Sequence, residues 1–272
     1  MKSIFFYLML IPFLWNPVEE EKIVVLHAEK NGSEVKIYAE NKGYCPYTVI
    51  LNVRVRNMHT DGEYPKKIVI PARSKEVLVA SLRAKKNKSW KYSFKYSYYK
   101  GDYQNTWHND AYVYNLPFEE GKTFVLSQGY NGKFTHQGKD ALDFTMPEGT
   151  KICAAREGIV VDVKENSRRG CPHERCRKDG NYISIYHQDG SFGEYYHLKK
   201  NGSKVKVGDQ VQKGEVIGYS GNTGMTSGPH LHFMVYFETD EDKETVKTQF
   251  WTSDNEYGYL EEGVKYEAIH RN

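Results

Sequence analysis

The segment Trp90–Tyr98 reads Trp-Lys-Tyr-Ser-Phe-Lys-Tyr-Ser-Tyr, with an aromatic residue at every second position. Because successive side chains of a β-strand point to opposite faces, this alternation places five rings on one face. Such a face is either half of the core of a β-sandwich or a platform for sugar rings. We favour the core, because a sandwich requires alternation of this kind on its inner faces. The segment therefore predicts a strand in a β-rich fold.

Shorter runs beside this segment repeat the period of two. Apolar and charged or polar residues alternate from Val35 to Ala39 and again from Val49 to Val55. Several short strands at this spacing predict an immunoglobulin-like β-sandwich domain over residues 18–116. Pro117 and the acidic residues after it interrupt the alternation before a second set of strands begins. We therefore predict a second domain over residues 117–272, with a C-terminal segment that closes back onto it.

The composition narrows the class of protein. The 272 residues suffice for two ordinary domains, and 39% hydrophobic with 27% charged residues argues against a disordered tail or a coiled coil. A formal net charge of only +3 gives no electrostatic reason to bind nucleic acid. Aromatic residues make up 14% of the chain, and 22 of them are tyrosines, which favours sheets. The fold class expected is all-β.

The first residues resemble a targeting signal. Lys2 supplies a positive charge, and the apolar stretch from Ile4 to Trp15 follows it. This order fits a secretory signal peptide or an N-terminal anchor over residues 1–17, whereas the alternative is a buried first strand. The expectation is an exported protein that is periplasmic, associated with the cell envelope or secreted.

Cysteine usage follows from that expectation. Cys171 and Cys176 lie close together in one loop, and in an exported protein such a pair predicts a local disulfide. A zinc knuckle that includes His173 is the alternative, but a second pair of ligands is missing nearby. Cys45 and Cys153 have no obvious partners in the sequence.

Histidines in the second half form three short motifs. His136 precedes Asp140 by four residues, His197 ends a strand-like run, and His230 and His232 flank a leucine. In a strand, His230 and His232 point to the same face. Imidazole and carboxylate groups are zinc ligands, and a catalytic zinc keeps three protein ligands and one open position. Each motif alone is weak evidence, but all three in one half of the chain predict a metal site.

These motifs resemble the lysostaphin/LytM-type zinc endopeptidases. The resemblance covers about residues 120–240, and its order and spacing make chance a poor explanation. It rests on these stretches: His136–Asp140, Tyr196–Leu198, Val207–Gly218, Ser220–Gly224 and Gly228–Phe233. The family implies a small antiparallel β-scaffold with a groove between loops, and substrates that are peptide cross-links of bacterial peptidoglycan.

The resemblance also implies roles for single residues. The metal ligands would be His136, Asp140 and His232, which would hold one zinc ion per chain. His230 would be the general base and His197 the partner that orients the water or stabilises the oxyanion. In the family the metal polarises a water that attacks the scissile carbonyl, and a neutral imidazole can accept its proton because zinc lowers the pKa of water towards 7.

Tyr130 resembles the position of a tyrosine that assists in some members of the family. It would then contact the substrate or the transition state, and the alternative is an ordinary aromatic residue that lines the groove.

Three functions compete at this stage. The first is an active endopeptidase, and the second is a silent or autoinhibited peptidoglycan-binding regulator of another hydrolase. The presence of all five site residues favours the first. The third is a biotinyl or lipoyl carrier, suggested by the turns in Gly208–Gly218, but it lacks an evident lysine at a hairpin tip and leaves the histidines unexplained. The N-terminal domain would be an inhibitory cover or a module for wall or partner binding, and neither the bond cut nor the oligomeric state follows from the sequence.

Overall fold

The computed structural model describes residues 22–253 and 255–271, so the predicted signal segment, residues 1–17, lies outside the described residues. The chain consists of strands and one short 3-10 helix, η1 (Glu174–Asp179), in the part described. The all-β prediction is therefore confirmed. Within the same residues, no helix combines the length and apolar character needed to cross a membrane.

Seven strands form two antiparallel sheets in the N-terminal part of the chain, which we call the sandwich. The first sheet has the strand order β1-β2-β6-β4 and the second β5-β3-β7. Their apolar residues share one buried core. The immunoglobulin-like relationship stays a prediction. The strands are β1 (Val24–Asn31), β2 (Glu34–Asn41), β3 (Tyr47–Arg56), β4 (Met58–Thr60), β5 (Lys66–Ile70), β6 (Val77–Ala84) and β7 (Lys91–Lys100).

The aromatic segment packs into this core. The alternate rings from Trp90 to Tyr98 are half-buried against the apolar cluster of the sandwich, while the lysine and serine side chains between them are exposed. The hydroxyl of Tyr96 donates a hydrogen bond to Val24 O, and the ring of Tyr98 contacts that of Tyr47 edge-on. The rings therefore pack against the core of the sandwich.

The rest of the chain is built around a nine-stranded sheet, which we call the central sheet. Its strand order is β17-β12-β14-β15-β20-β10-β9-β24, with β21 paired to β20. These strands are β9 (Thr123–Gln128), β10 (Ala141–Thr145), β12 (Gly158–Lys164), β14 (Tyr182–Tyr186), β15 (Phe192–Tyr196), β17 (Gln210–Val211), β20 (His230–Glu238), β21 (Lys243–Val246) and β24 (Lys265–Glu267).

Smaller sheets support the central sheet. Their strand orders are β11-β18-β16, β13-β19 and β23-β22-β8. Phe250 of the C-terminal segment is fully buried in the main core, and β24 pairs with β9. The segment thus returns to the edge of the central sheet. The strands are β8 (Val113–Tyr114), β11 (Lys151–Cys153), β13 (Gly170–Cys171), β16 (Leu198–Ser203), β18 (Val216–Ser220), β19 (Gly224–Met225), β22 (Gln249–Trp251) and β23 (Tyr257–Gly258).

The two faces of the central sheet differ in what covers them. On β20, Leu231, Phe233 and Val235 point into the main core of the second half. The alternate residues Met234 and Tyr236 point the other way and pack into the core of the sandwich. The sandwich therefore sits on part of the face that carries His232. These residues of the second half belong to the core of the sandwich, which is separate from the main core. The domain boundary near residue 117 stays a prediction.

Candidate functional site

The register of β10 and β20 brings a carboxylate beside a histidine. The two strands are antiparallel, with Asp143 directly opposite His232 and Thr145 opposite His230. Leu142 is buried in the main core, so its neighbour Asp143 points to the opposite face of the sheet. Directly opposite residues on one face lie close enough for their side chains to interact.

Asp143, His136 and His232 form a cluster that could hold a metal ion. One ligand atom from each residue lies within 4.8 Å of the others. His232 Nδ1 is 2.9 Å from Asp143 Oδ1, and His136 Nε2 is 3.3 Å from Asp143 Oδ2. The facing nitrogens of the two histidines are 3.3 Å apart. Two imidazoles and one carboxylate are a donor set that suits zinc.

A hydrogen bond fixes the tautomer of His136. Its Nδ1 is 3.0 Å from Gly129 O, and because a carbonyl oxygen only accepts, the proton of the neutral ring lies on Nδ1. Nε2 therefore faces the cluster, where it offers a lone pair to a cation when the ring is neutral and a proton to Asp143 when the ring is charged. A second contact of this kind is typical of histidines that bind metals, since it sets the orientation of the ring.

Gln128 ties the loop that carries His136 to the carboxylate. Its Nε2 donates to Asp143 Oδ2 at 2.8 Å, while its Oε1 accepts hydrogen bonds from the backbone N–H groups of Phe134 and Thr135. One buried amide therefore holds both the carboxylate and the loop preceding His136 in place. Gln128 carries no motif of its own, so no sequence pattern predicts its place in the site.

The position of Asp140 differs from the prediction. Its Oδ1 accepts a hydrogen bond from Asn131 Nδ2 at 3.2 Å, and the cluster contains Asp143 instead. Asp140 precedes β10, so the alternation of the strand does not place its side chain beside His232, whereas Asp143 is in register with it. The apolar residues on either side of Asp143 were the signal that could have identified it.

His197 and His230 stand beside the cluster. Their ring centroids are 4.4 Å apart, and His230 Nε2 is 3.7 Å from Asp143 Oδ1. His197 occupies a left-handed backbone conformation with φ of 64° between two strands. Its Nδ1 donates to Thr223 O at 2.6 Å, and that of His230 to Gly228 O at 2.8 Å. In the neutral rings Nε2 is then the unprotonated nitrogen.

Burial and hydrogen bonding set the charges of the site. Burial alone would raise the pKa of Asp143, but hydrogen bonds with His136 and His232 outweigh it and hold that pKa well below its usual range. Burial also works against protonation of His136, yet its bond to Asp143 raises the pKa. For His197, burial and the neighbouring histidines act together and lower the pKa to about 3. His197 is thus neutral at physiological pH.

The side chain of Tyr130 makes structural contacts. Its hydroxyl donates to Thr248 O at 2.8 Å, and its ring packs against the main core. Burial raises its pKa to about 12. The cavity over the histidines is lined by other residues of the described chain, so a contact between Tyr130 and substrate stays a prediction.

This cavity has a volume of about 1040 Å³ and opens over the site. At one end it is lined by Asp143 and by the histidines at positions 197, 230 and 232. It also reaches Lys100, which belongs to the sandwich. The half-buried face of the central sheet and the loops above it therefore form a groove.

The loop around η1 makes one wall of this groove. A disulfide joins Cys171 to Cys176, which leaves no thiolate for a zinc knuckle with His173. Arg177 lines the cavity, and its carbonyl oxygen accepts a hydrogen bond from the Tyr196 hydroxyl at 2.8 Å. The remaining cysteines, at positions 45 and 153, are buried and unpaired.

Known proteins share this part of the chain. The peptidoglycan DD-endopeptidase ShyA of Vibrio cholerae is 40% identical over 94 residues, which are 35% of this chain and 19% of that protein. Lysostaphin of Staphylococcus staphylolyticus is 39% identical over 106 residues, which are 39% of this chain and 19% of that protein. The match thus spans about a fifth to a quarter of the length of the curated relatives.

Among solved structures, the catalytic domain of lysostaphin from Staphylococcus simulans is 30% identical, with a TM-score of 0.34. The similarity covers 46% of this chain and 87% of that one. The family model described as peptidase family M23 matches residues 137–245. The resemblance indicated by the histidine motifs is therefore confirmed: residues 137–245 are similar to peptidase family M23.

Proposed function

We propose that the protein is a zinc-dependent endopeptidase that hydrolyses peptide cross-links or stem peptides of bacterial peptidoglycan. The observation that carries the proposal is the convergence of His136, Asp143 and His232 beside two further histidines at the base of a groove. The match of residues 137–245 to peptidase family M23 and the names of the relatives support the reaction and the class of substrate.

The ligands in this proposal are His136, Asp143 and His232, with Asp143 replacing Asp140. Each directs a nitrogen or an oxygen to one point, and Gly129 and Gln128 hold two of them in position. A zinc ion bound there would polarise a water molecule and the scissile carbonyl. One ion per chain is expected, since the described residues contain one group of this kind.

The other two histidines, His197 and His230, would orient the attacking water and accept its proton. We assign the general base to His230, because its Nδ1 donates to Gly228 O and its Nε2 stands 3.7 Å from Asp143 Oδ1, beside the proposed metal position. His197 has the same arrangement, with Nδ1 bound to Thr223 O, so its Nε2 can accept a hydrogen bond and orient the attacking water. Both roles use the nitrogen that faces away from the backbone carbonyl.

Action on peptidoglycan requires the enzyme to leave the cytoplasm. We therefore keep export through the signal or anchor at residues 1–17 as part of the proposal, together with a cell-envelope partner for the N-terminal half. Both rest on the sequence alone.

Release of soluble fragments from purified peptidoglycan, followed by mass spectrometry, tests the proposal. Wild type, His230→Ala and chelator-treated protein are compared, and zinc content is measured on each sample. We expect fragments only from untreated wild type, with zinc still bound in His230→Ala. Fragments from His230→Ala would contradict the assigned base. An absence of fragments from zinc-loaded wild type would favour the silent regulator.

A further inference from the structure

The outer faces of the two sheets of the sandwich differ in charge. On the first sheet, Glu34 is directly opposite Arg83, and Arg83 Nη2 is 2.6 Å from Glu34 Oε1. On the second sheet, Arg56 is directly opposite Lys91, and both residues are exposed. Opposite charges therefore pair across strands on the first face, whereas like charges stand side by side on the second.

Acidic residues are missing from the strands of the second sheet. β3, β5 and β7 contain no Asp or Glu. The two stretches of sequence that supply β3 and β7, residues 41–60 and 77–101, together hold ten Lys and Arg and no Asp or Glu. The whole chain, in contrast, has 38 basic and 35 acidic residues. The small net charge therefore conceals a strong local excess of positive charge.

Four exposed cations share the outer face of this sheet, at its open end. Arg54 and Arg56 alternate along β3, and Lys91 and Lys95 lie on the same face of β7. None of the four has a carboxylate within ion-pair distance in the described part of the chain. A hydrogen bond of 2.8 Å from Asn57 Nδ2 to Ser89 O holds the loop between β6 and β7, with three further exposed lysines, beside them. We call this surface the cationic face.

The cationic face lies far from the groove. At the other end of β7, Lys100 Nζ is 3.2 Å from Asp162 Oδ2 on the central sheet. Lys91 is roughly 30 Å along the strand from Lys100, at about 3.3 Å per residue. Near Lys100 the same outer face is covered, because Thr48 is fully buried and its hydroxyl donates to Gly101 O. A partner on the cationic face would therefore leave the groove accessible.

The arrangement favours an anionic surface as the partner. Like charges directly opposite each other destabilise a sheet, and an anionic partner removes that repulsion. The aromatic rings of β7 point into the core of the sandwich, so the cationic face offers no platform on which bases could stack. An anionic bilayer needs no such platform, because it attracts each lysine or arginine near its surface. The expected export signal or anchor at residues 1–17 would bring the sandwich to a membrane.

We propose that the cationic face binds the headgroups of an anionic phospholipid membrane. The inference rests on the export that forms part of the proposed function, and it gives the cell-envelope partner of the N-terminal half a chemical identity. It does not depend on hydrolysis. The sandwich would hold the protein at the membrane while the groove, at the other end of β7, stays free for substrate.

Flotation of the full chain with lipid vesicles tests the inference. One set of vesicles contains phosphatidylcholine alone, and the other also contains phosphatidylglycerol. The partition coefficient of wild type should be about tenfold or more higher for the anionic vesicles at about 0.1 M salt, and most of this preference should disappear at about 0.5 M salt. An apolar segment binds both kinds of vesicle, so the ratio of the two coefficients reports the contribution of charge.

Two double variants locate the preference. Arg56→Gln with Lys91→Gln should lower the ratio at least fivefold. Lys36→Gln with Arg83→Gln removes the same charge from the outer face of the first sheet and should change the ratio less than twofold. All four positions are exposed, so both variants should keep the fold.

Equal binding of wild type to both kinds of vesicle, or an equal loss in the two double variants, would overturn the inference. Binding of sodium polyphosphate without a preference for anionic vesicles would also overturn it, in favour of a soluble anionic polymer. A preference for anionic vesicles in a protein that releases no fragments from peptidoglycan would contradict the proposed activity alone.

Discussion

One face of the central sheet has two ends that do different things. At one end Tyr186, Phe192 and Tyr236 pack against the sandwich, and at the other Asp143 and His232 face an open cavity. β20 contributes to both ends, with Tyr236 four residues after His232 on the same face. The backbone geometry is the same along the strand. The chemistry of the side chains therefore decides which end is covered and which can bind.

The free energy of removing these side chains from water explains why the sandwich covers only one end of the face. Burying aromatic rings removes a large apolar area from water and stabilises the contact with the sandwich. Covering Asp143 and three histidines with the same apolar surface would leave polar atoms without partners, at a cost of several kcal/mol. The sandwich consequently stops short of the histidines. The groove is the part of the face where covering is unfavourable.

The first test changes Asp143, at the end of this face that opens on the cavity, which we call the polar end. Asp143→Asn removes the charge of the proposed ligand, while its neighbours and the strand register stay the same. We expect hydrolysis to fall at least 1000-fold, of the order of 4 kcal/mol in transition-state stabilisation, and bound zinc to be lost. Zinc content by mass spectrometry and fragment release from peptidoglycan measure the two effects.

Asp140→Asn is the matched control for that variant. Its carboxylate contacts Asn131, and we expect it to keep zinc and to retain activity within a few-fold. If Asp140→Asn lost zinc while Asp143→Asn kept it, the ligands would be His136, Asp140 and His232. The pair therefore decides between two carboxylates three residues apart.

The second test shortens Phe192, at the end that packs against the sandwich, which we call the apolar end. This ring is fully buried where the sandwich meets the central sheet and stacks on Tyr236 with centroids 5.4 Å apart. Phe192→Ala should lower the free energy of unfolding by roughly 3 to 5 kcal/mol, because a cavity forms in a shared core. Urea unfolding measures the loss.

Phe134→Ala is the control, because the ring of Phe134 is 85% exposed. This substitution should change the free energy of unfolding by less than about 1 kcal/mol, as is usual for surface positions. Equal stability of the Phe192 variant and wild type would show that the sandwich does not depend on this contact. The comparison between the two ends would then lose its energetic basis.

Local alternation carries most of what the sequence can predict here. The strands, the aromatic core of β7 and the pairing of His230 with His232 on one face all result from a period of two. Asp143 obeys the same rule, since it stands between Leu142 and Phe144, but the motif match favoured Asp140. The sequence therefore contained the information that places Asp143 on the face of His232.

The placement of the sandwich is a different case. Met234 and Tyr236 alternate with core residues, so both faces of β20 read as apolar over this stretch. Nothing in the local pattern says which domain covers the second face. The meeting of Lys100 with Asp162 joins residues 62 positions apart and depends on how two separate sheets dock. Such contacts are properties of the tertiary structure.

The response to acid extends the comparison to the other face of the central sheet through His187, whose ring contacts Tyr114 of the main core. Its ring is fully enclosed, and Nδ1 donates to Glu157 O at 2.7 Å. Burial, assisted by the charge of Arg156, lowers its pKa from 6.5 to about 4. Between these values the unfolded chain binds more protons than the folded chain, so stability falls as the pH falls. Below about pH 4 both states are protonated, and this contribution stops changing.

Urea unfolding of wild type should therefore give a lower free energy of unfolding at pH 4.5 than at pH 7. Roughly 2 to 3 kcal/mol of that decrease should come from His187. His187→Gln keeps a donor for Glu157 O but cannot be protonated, so its loss over the same range should be smaller by that amount. Other acid-sensitive groups affect both proteins alike and cancel in the difference. Identical losses in the two proteins would mean that the main core admits a charged imidazole at this position, which would contradict the dry surroundings that lower the pKa of His187.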